Sequence, residues 1–368
     1  MTSILLSVPE AHTEVVTSLQ FSPHHDSIFC STSGDDTAAL WDLRQAGGDP
    51  EIARLTHHQG PVNHALFMLE DEYALFTASD DRTIARWDLR ELRAPVGTIC
   101  GFGDGINKML RIPAPEDNTN NYTSSGSGRW LLASACDDGM VYIHSLGPEN
   151  PPQQQGVVGA TPAAALPSAG TMVDRFWAAT STVNDLALSP NPRMLLTASE
   201  DCAVRLWNIV ADSRATTEHR LVASFEEFDN PVNHIAVVCT DAGAGQGQSS
   251  FWLYAACSEF VFAVDLDPAT SAFGEAARTF TGHQDYVRGL EFVGGDTLLT
   301  VSDDATAIEW SLRTTEPVRQ VKLHEGLVMA SATSTARDVL VTGTDGGEIR
   351  AWQLPFKTET CCGGTNMR

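Results

Sequence analysis

Ala78-Ser79-Asp80-Asp81-Arg82-Thr83-Ile84-Ala85-Arg86-Trp87-Asp88 decides the fold of this chain. It runs from the end of one apolar strand through a tight acidic turn into a second alternating strand that closes on an aromatic. The same arrangement stands at Thr32-Ser33-Gly34-Asp35-Asp36-Thr37-Ala38-Ala39-Leu40-Trp41-Asp42, at Ala198-Ser199-Glu200-Asp201-Cys202-Ala203-Val204-Arg205-Leu206-Trp207-Asn208 and at Val301-Ser302-Asp303-Asp304-Ala305-Thr306-Ala307-Ile308-Glu309-Trp310. In all four the turn Asp lies six residues before the Trp. Three weaker copies keep the strands but lose the aromatic or the Asp: one ends at His144 after Asp138, one at Val264, and one at Trp352 after Gly346. The Trp-equivalent positions are thus 41, 87, 144, 207, 264, 310 and 352, giving seven units at intervals of 46, 57, 63, 57, 46 and 42 residues. A unit of this size cannot bury both faces alone, so successive units must stack on one another.

These motifs resemble the WD-repeat family, and the resemblance runs over residues 4–354. It implies an all-β, seven-bladed propeller of four-stranded antiparallel blades. A second signature, a His four residues before the apolar anchor of the innermost strand, stands in four units: His12 with Val16, His58 with Val62, His283 with Val287 and His324 with Val328. In the family that His, the turn Asp, a strand Ser or Thr and the Trp form a buried hydrogen-bond network. Each buried polar group is tolerable there because another satisfies it. The network is expected complete in units one, two and six. Unit seven has Gly346 in place of the Asp, and units three to five carry Phe102, Ala179 and Phe228 in place of the His, so these blades are expected to rest more on packing. Closure of the ring needs a strand from the other terminus, and Ile4-Leu5-Leu6-Ser7-Val8 is expected to complete the last blade.

The long intervals come from added residues at 113–129, 147–174, 211–218 and 241–250. The first two and the last read as loop insertions by composition. They are expected between first and second or third and fourth strands, on the face opposite the His and Asp turns. Residues 355–368 are expected to form a flexible C-terminal tail.

Composition narrows the function. The chain carries 23 Lys plus Arg against 47 Asp plus Glu, a formal net charge of −24. Such a field repels a phosphate backbone and attracts basic partners, so direct nucleic-acid binding is not expected. Eight cysteines, at 30, 100, 136, 202, 239, 257, 361 and 362, form no CxxC pair and read as reduced residues of an intracellular protein. No signal peptide and no membrane span is read, so a cytoplasmic or nuclear location is expected and Asn121-Tyr122-Thr123 is an idle glycosylation sequon. No phosphate-cradling loop, paired-His helix or nucleophile elbow occurs, and His24-His25 and His57-His58 lack the partners of a metal set. The chain is therefore read as a non-enzyme, with no cofactor and no metal.

Two constellations are left as candidate sites. In propellers of this family the residue after each innermost-strand anchor and the residue before each turn Asp point toward the mouth of the central channel. Here the first set is Thr17, Asn63, Asn107, Asn184, Asn233, Arg288 and Met329, and the second is Gly34, Asp80, Asp137, Glu200, Cys257, Asp303 and Asp345. Amides beside a broken ring of carboxylates suit a segment bearing Lys or Arg. The plainer alternative is that Asp-Asp is good turn chemistry and Asn a convenient residue at a wet strand start.

The other constellation is Trp41-Asp42-Leu43-Arg44, repeated at Trp87-Asp88-Leu89-Arg90. It looks like the box that substrate receptors of cullin-RING ubiquitin ligases present to their adaptor, with Arg44 and Arg90 as the binding groups. An ordinary surface ion pair is the other reading of the same residues. The leading expectation is a protein-interaction scaffold within a multiprotein complex, binding partner proteins or basic peptides on the compact face, the one that carries the His and Asp turns. A ubiquitin-ligase substrate receptor is the alternative.

Overall fold

The computed structural model describes residues 3–45, 47–113, 130–146, 169–191, 193–209, 221–240, 250–267, 272–294, 296–336 and 338–356. Their strands make seven four-stranded antiparallel sheets, the blades of a propeller. Blade one shows the plan: Val16–Phe21, Ile28–Ser33, Thr37–Asp42 and Glu51–Thr56, from the channel outward. The seventh blade takes its outermost strand from the N-terminus, where Ile4–Val8 pairs with Ile349–Gln353 and sets Ile4 opposite Trp352 and Val8 opposite Ile349. All seven Trp-equivalent positions fall in register, since Phe29, Leu75, Leu132, Leu195, Leu253, Leu298 and Leu340 face positions 41, 87, 144, 207, 264, 310 and 352.

Apolar residues on both faces of each blade build seven clusters, one between each pair of neighbouring blades. Between blades one and two, for example, Cys30, Leu40 and Leu55 meet Val62, Phe67 and Trp87. Between blades seven and one, Val341 and Ala351 meet Val16 and Phe29. The seven innermost anchors, Val16, Val62, Ile106, Val183, Val232, Val287 and Val328, are all fully buried. Burying a Val side chain is worth about 1.5–3 kcal/mol, so the ring of anchors alone stabilises closure substantially.

One irregularity recurs in every blade. The pairing of the innermost strand slips by one residue just after its anchor, between Val16 and Ser18, Val62 and His64, Ile106 and Lys108, Val183 and Asp185, Val232 and His234, Val287 and Gly289, and Val328 and Ala330. A β-bulge leaves its extra residue unpaired and re-aims the side chain. The extra residues are Thr17, Asn63, Asn107, Asn184, Asn233, Arg288 and Met329.

Four boundaries differ from the sequence reading. The insertion assigned to 147–174 ends earlier, because Thr171–Trp177 is the outer strand of blade three with Asp174 opposite Ile143. Pro113 and Ser250, placed in insertions, end and begin paired strands. The tail begins later than 355: Phe356 is 2% exposed and packs with Leu299, Leu323 and Trp352 between blades six and seven. The remainders of the insertions (114–129, 147–168 and 241–249) and residues 357–368 lie outside the described residues, as does the sequon.

Candidate functional site

The turns of the compact face are fixed by hydrogen bonding inside each blade. In blade two, His58 Nδ1 meets Asp81 at 2.8 Å, His58 Nε2 meets Thr77 Oγ1 at 2.8 Å, and Trp87 Nε1 donates to the same hydroxyl at 3.0 Å. The indole can only donate, so Thr77 passes its own proton to Nε2, and Nδ1–H donates to the carboxylate. Blades one and six repeat the relay through His12, Asp35, Ser31 and Trp41, and through His283, Asp304, Thr300 and Trp310. Burial holds the His12 imidazole below its ordinary pKa, against the pull of Asp35. Burial alone would raise Asp81 and Asp304, but hydrogen bonds from His58 and His283, together with those from Thr83 and Thr306, bring both well below the usual carboxylate range.

The expectation for units three, four and seven needs correction. Blade seven has a full relay, with Glu348 reaching His324 Nδ1 at 3.1 Å in place of the missing Asp, while Thr342 and Trp352 complete it. A Glu two residues further along has the extra methylene needed to reach the same imidazole. In blade four the turn Asp201 binds Arg205 at 2.8 Å, and Trp207 still donates to Thr197. In blade three Tyr142 donates to Asp138 at 2.7 Å, with its ring against Phe102. Blade five is packed as expected, with Phe228 set against Phe225 and Phe262.

The seven bulge residues all line one central channel, a cavity of about 640 Å³ reached by every blade. Four of them clip their blade to the next by donating to the carbonyl of that blade's anchor: Thr17 to Val62, Asn63 to Ile106, Asn107 to Val183 and Asn184 to Val232. Asn233 breaks the series, and its buried Nδ2 has no partner among the described residues. The structure thus gives the asparagines a structural task as well as a place on the rim.

The carboxylates before the turns are not equivalent. Asp80 and Asp137 each accept from the bulge Asn of their own blade, at 2.6 and 2.7 Å. They converge over Gly105, where an added Cβ would lie 2.6 Å from Asp80 Oδ1 and 2.9 Å from Asp137 Oδ2. Burial raises the pKa of Asp80, and the nearby charges of Asp137 and Asp104 raise it further, against the bond from Asn63. Glu200 is exposed and accepts from Ser181 at 3.1 Å. Asp303, by contrast, is 6% exposed and held in a two-pronged pair by Arg288 at 2.9 and 2.7 Å. Asp345 accepts the Leu327 N–H. The sequence reading treated these acids as one rim, and the structure divides them.

Sequence reasoning missed a polar belt inside the channel wall. Asp185, 1% exposed, lies 3.3 Å from Lys108, binds His234 Nδ1, and accepts the backbone N–H groups of Leu186 and Ile235 at 2.9 Å each. Burial would raise its pKa, but the charges of His234 and Lys108 hold it well below the usual range. His64, also buried, accepts the Met109 N–H, and burial and Lys108 keep its pKa well down. These residues stand two after the anchor in blades two to five, so aligning the units would have exposed a His, Lys, Asp, His series. The bulge is what turns that position into the wall.

On the opposite face, Arg44 and Arg90 each grip the Asp of their own box with two hydrogen bonds, at 2.9 and 2.8 Å to Asp42 and at 2.8 and 2.6 Å to Asp88. Hydrogen bonds from Arg90 bring Asp88 down to about 2. Both arginine side chains remain well exposed, and Arg90 lies over the Tyr73 ring at 4.6 Å. Among the described residues no group of three or more His, Cys, Asp or Glu could hold a metal ion, and no helix is long and apolar enough to cross a membrane. Cys30, Cys136 and Cys257 are buried, while Cys100 and Cys239 are exposed.

The family model for the WD domain, G-beta repeat, matches residues 3–42, 50–88, 170–208 and 274–311. Each match covers the outer strand of one blade and the three inner strands of the next, which is the offset that lets the first repeat close the ring. The chain is a WD-repeat propeller. The WD40 β-propeller domain of Doa1 superposes on 96% of it with a TM-score of 0.67 at 17% identity, covering 98% of that chain. In sequence the propeller is similar to nuclear distribution protein PAC1-2 of Uncinocarpus reesii, 27% identical over 320 residues, and to nuclear distribution protein nudF of Aspergillus niger, 25% identical over 313. Each match takes in 82% of this chain and 60% of the relative, so the propeller spans about three fifths of their length. A shorter match, 32% identical over 103 residues, links 28% of it to 24% of the RbAp48-related WD40 repeat-containing protein prw1 of Schizosaccharomyces pombe.

Proposed function

We propose that this propeller is a non-catalytic interaction scaffold inside the cell, part of a multiprotein complex, and that it takes a basic segment of a partner protein on its compact face. The observation that carries this is the arc over blades two to four, where Asp80, Asp137 and Glu200 stand at equivalent turns beside Asn63, Asn107 and Asn184. A Lys or Arg set between Asp80 and Asp137 would relieve their mutual repulsion and form charge-assisted hydrogen bonds, each worth about 1–3 kcal/mol where water is excluded. Asp303 and Asp345 belong to this set by position, but their existing bonds to Arg288 and Leu327 make them supports of the rim. The similarity to nuclear distribution proteins is consistent with a scaffold and names no partner for this chain.

The test is affinity purification of the tagged chain in three forms: unaltered, with Asp80→Lys, Asp137→Lys and Glu200→Lys combined, and with Arg44→Ala and Arg90→Ala combined. The charge reversal should lose the partner while melting like the parent, and the arginine pair should keep it. Loss with the arginine pair alone, accompanied by a cullin and its adaptor in the parent sample, would overturn the scaffold reading in favour of the ubiquitin-ligase receptor.

A further inference from the structure

The residue just before each anchor also points to the compact face, and its chemistry changes round the ring. Blades two to five carry Pro61, Gly105, Thr182 and Pro231, whereas blades six, seven and one carry Tyr286, Leu327 and Val15. Tyr286 is 41% exposed and Leu327 is 42% exposed. Val15 and Met329 of blades one and seven line the channel. Blade one has Gly34 where its neighbour has an acid, and a Cβ there would lie 3.0 Å from Val15 Cγ1 and 3.1 Å from Glu14 Oε2. Of the acids before the turns in this arc, Asp303 is paired by Arg288 and Asp345 accepts a backbone N–H, and the Arg288 guanidinium lies 5.4 Å from the centre of the Tyr286 ring. Apolar side chains scattered singly on a surface need no explanation, but three consecutive blades presenting them at one equivalent position form a patch.

We propose that the arc over blades six, seven and one is an apolar seat, and that its occupant is an extended segment of a partner protein bearing a large apolar side chain, Leu, Met or Phe, a few residues from a Lys or Arg. This rests on the reading of the compact face as a partner-binding rim. The commitment to one segment follows from charge complementarity: Val15 and Met329 of the apolar arc and Asn63 and Asn107, which hold Asp80 and Asp137, line a single channel, so a chain crossing its mouth meets both arcs. The apolar side chain loses water against Tyr286, Leu327 and Met329, and the basic one takes up the Asp80 and Asp137 carboxylates. Neither arc alone distinguishes such a segment from any lysine-rich or any greasy peptide. Together they require both features in one chain.

The probe is a phage-displayed library of random dodecapeptides selected on the full chain, followed by fluorescence anisotropy of the enriched peptides as synthetic, labelled molecules. Enriched sequences should combine a basic residue with a large apolar one. Leu327→Ser and Tyr286→Ser together, which change no charge at two side chains about two-fifths exposed, should weaken binding at least about tenfold and leave its salt dependence in place. Asp80→Asn and Asp137→Asn together should weaken binding and flatten the salt dependence. Enriched peptides that lack large apolar residues, or that bind the Leu327 and Tyr286 variant unchanged, overturn the apolar seat while the acidic reading stands. Enriched peptides indifferent to both pairs of substitutions, or no enrichment at all, count against both.

Discussion

Blades one, two, six and seven and blades three to five of this propeller solve the same problem in different ways. In the first group the buried polar groups are satisfied within the blade, by a Trp, hydroxyl, His and carboxylate relay that ties two turns together. In the second group the His is missing, and much of the polar bonding is moved to the channel wall, where Lys108 of blade three, Asp185 of blade four and His234 and Ile235 of blade five join three blades into one unit. The insertions that lengthen the repeat fall in these same three blades. A blade can therefore lose its internal relay when its neighbours supply the missing bonds, but it then depends on those neighbours.

The largest effect should come from breaking the belt. Asp185→Ala leaves Lys108 without its counter-charge, His234 without its hydrogen-bond partner and two backbone N–H groups without an acceptor, and removing one partner of a buried pair costs about 3–5 kcal/mol. Asp304→Ala, which breaks a relay inside one blade, should cost less, about 1–3 kcal/mol. Urea denaturation of the two variants measures the order. Hydrogen exchange adds its reach, with protection expected to fall across blades three to five for Asp185→Ala and to stay confined to blade six for Asp304→Ala. Equal and local losses would show that the belt does not couple the blades.

Acidification should act on both groups in the same direction. His12, His324 and His64 have folded pKa values below the ordinary 6.5, so the unfolded chain binds their protons first and stability falls as pH drops below that value. Asp81, Asp185 and Asp304 are depressed below their ordinary 3.8, so their contribution is present above it and is lost as pH falls further. With the −24 net charge screened by about 0.5 M salt, the denaturation midpoint should be level between about pH 7 and 8 and decline below about 6.5. A midpoint that rises on acidification in that salt would contradict the neutral, buried imidazoles. His64→Gln should blunt the upper part of the decline through the belt, leaving the relay part.

The smallest effect concerns the turns that both groups share. Five of the seven turns place a residue with a side chain in the left-handed region: Asp36, Arg82, Cys202, Ser258 and Ala305. Blades three and seven use glycine, at Gly139 and Gly347. Ala305, at φ 65, makes no side-chain hydrogen bond that would compensate. Ala305→Gly relieves a cost of about 1–2 kcal/mol in the folded state but adds freedom to the unfolded chain, so a net gain below about 1 kcal/mol is expected. A loss on substitution would mean that the methyl packs better than its 8% exposure suggests.

The sequence by itself determined the number of blades, the register of their third strands, the relays of blades one, two and six, and the closing strand, because each depends on contacts at a short, repeated spacing. A turn Asp six residues before a Trp and a His four before an anchor recur wherever the local geometry recurs, whatever lies between the units. What only the tertiary structure decided is how units meet. The clips from Thr17, Asn63, Asn107 and Asn184 to the next anchor's carbonyl span 45, 43, 76 and 48 residues, because insertions of different length intervene. No fixed spacing marks such a contact, and the same holds for Lys108 with Asp185 and for Phe356 with blade six. The bulges that aim the rim side chains, the substitution of Glu348 for the Asp missing at 346, and the pairing of Asp303 with Arg288 lie within single blades, yet they too are decided by how the folded turns bring side chains together and by no residue pattern in the chain.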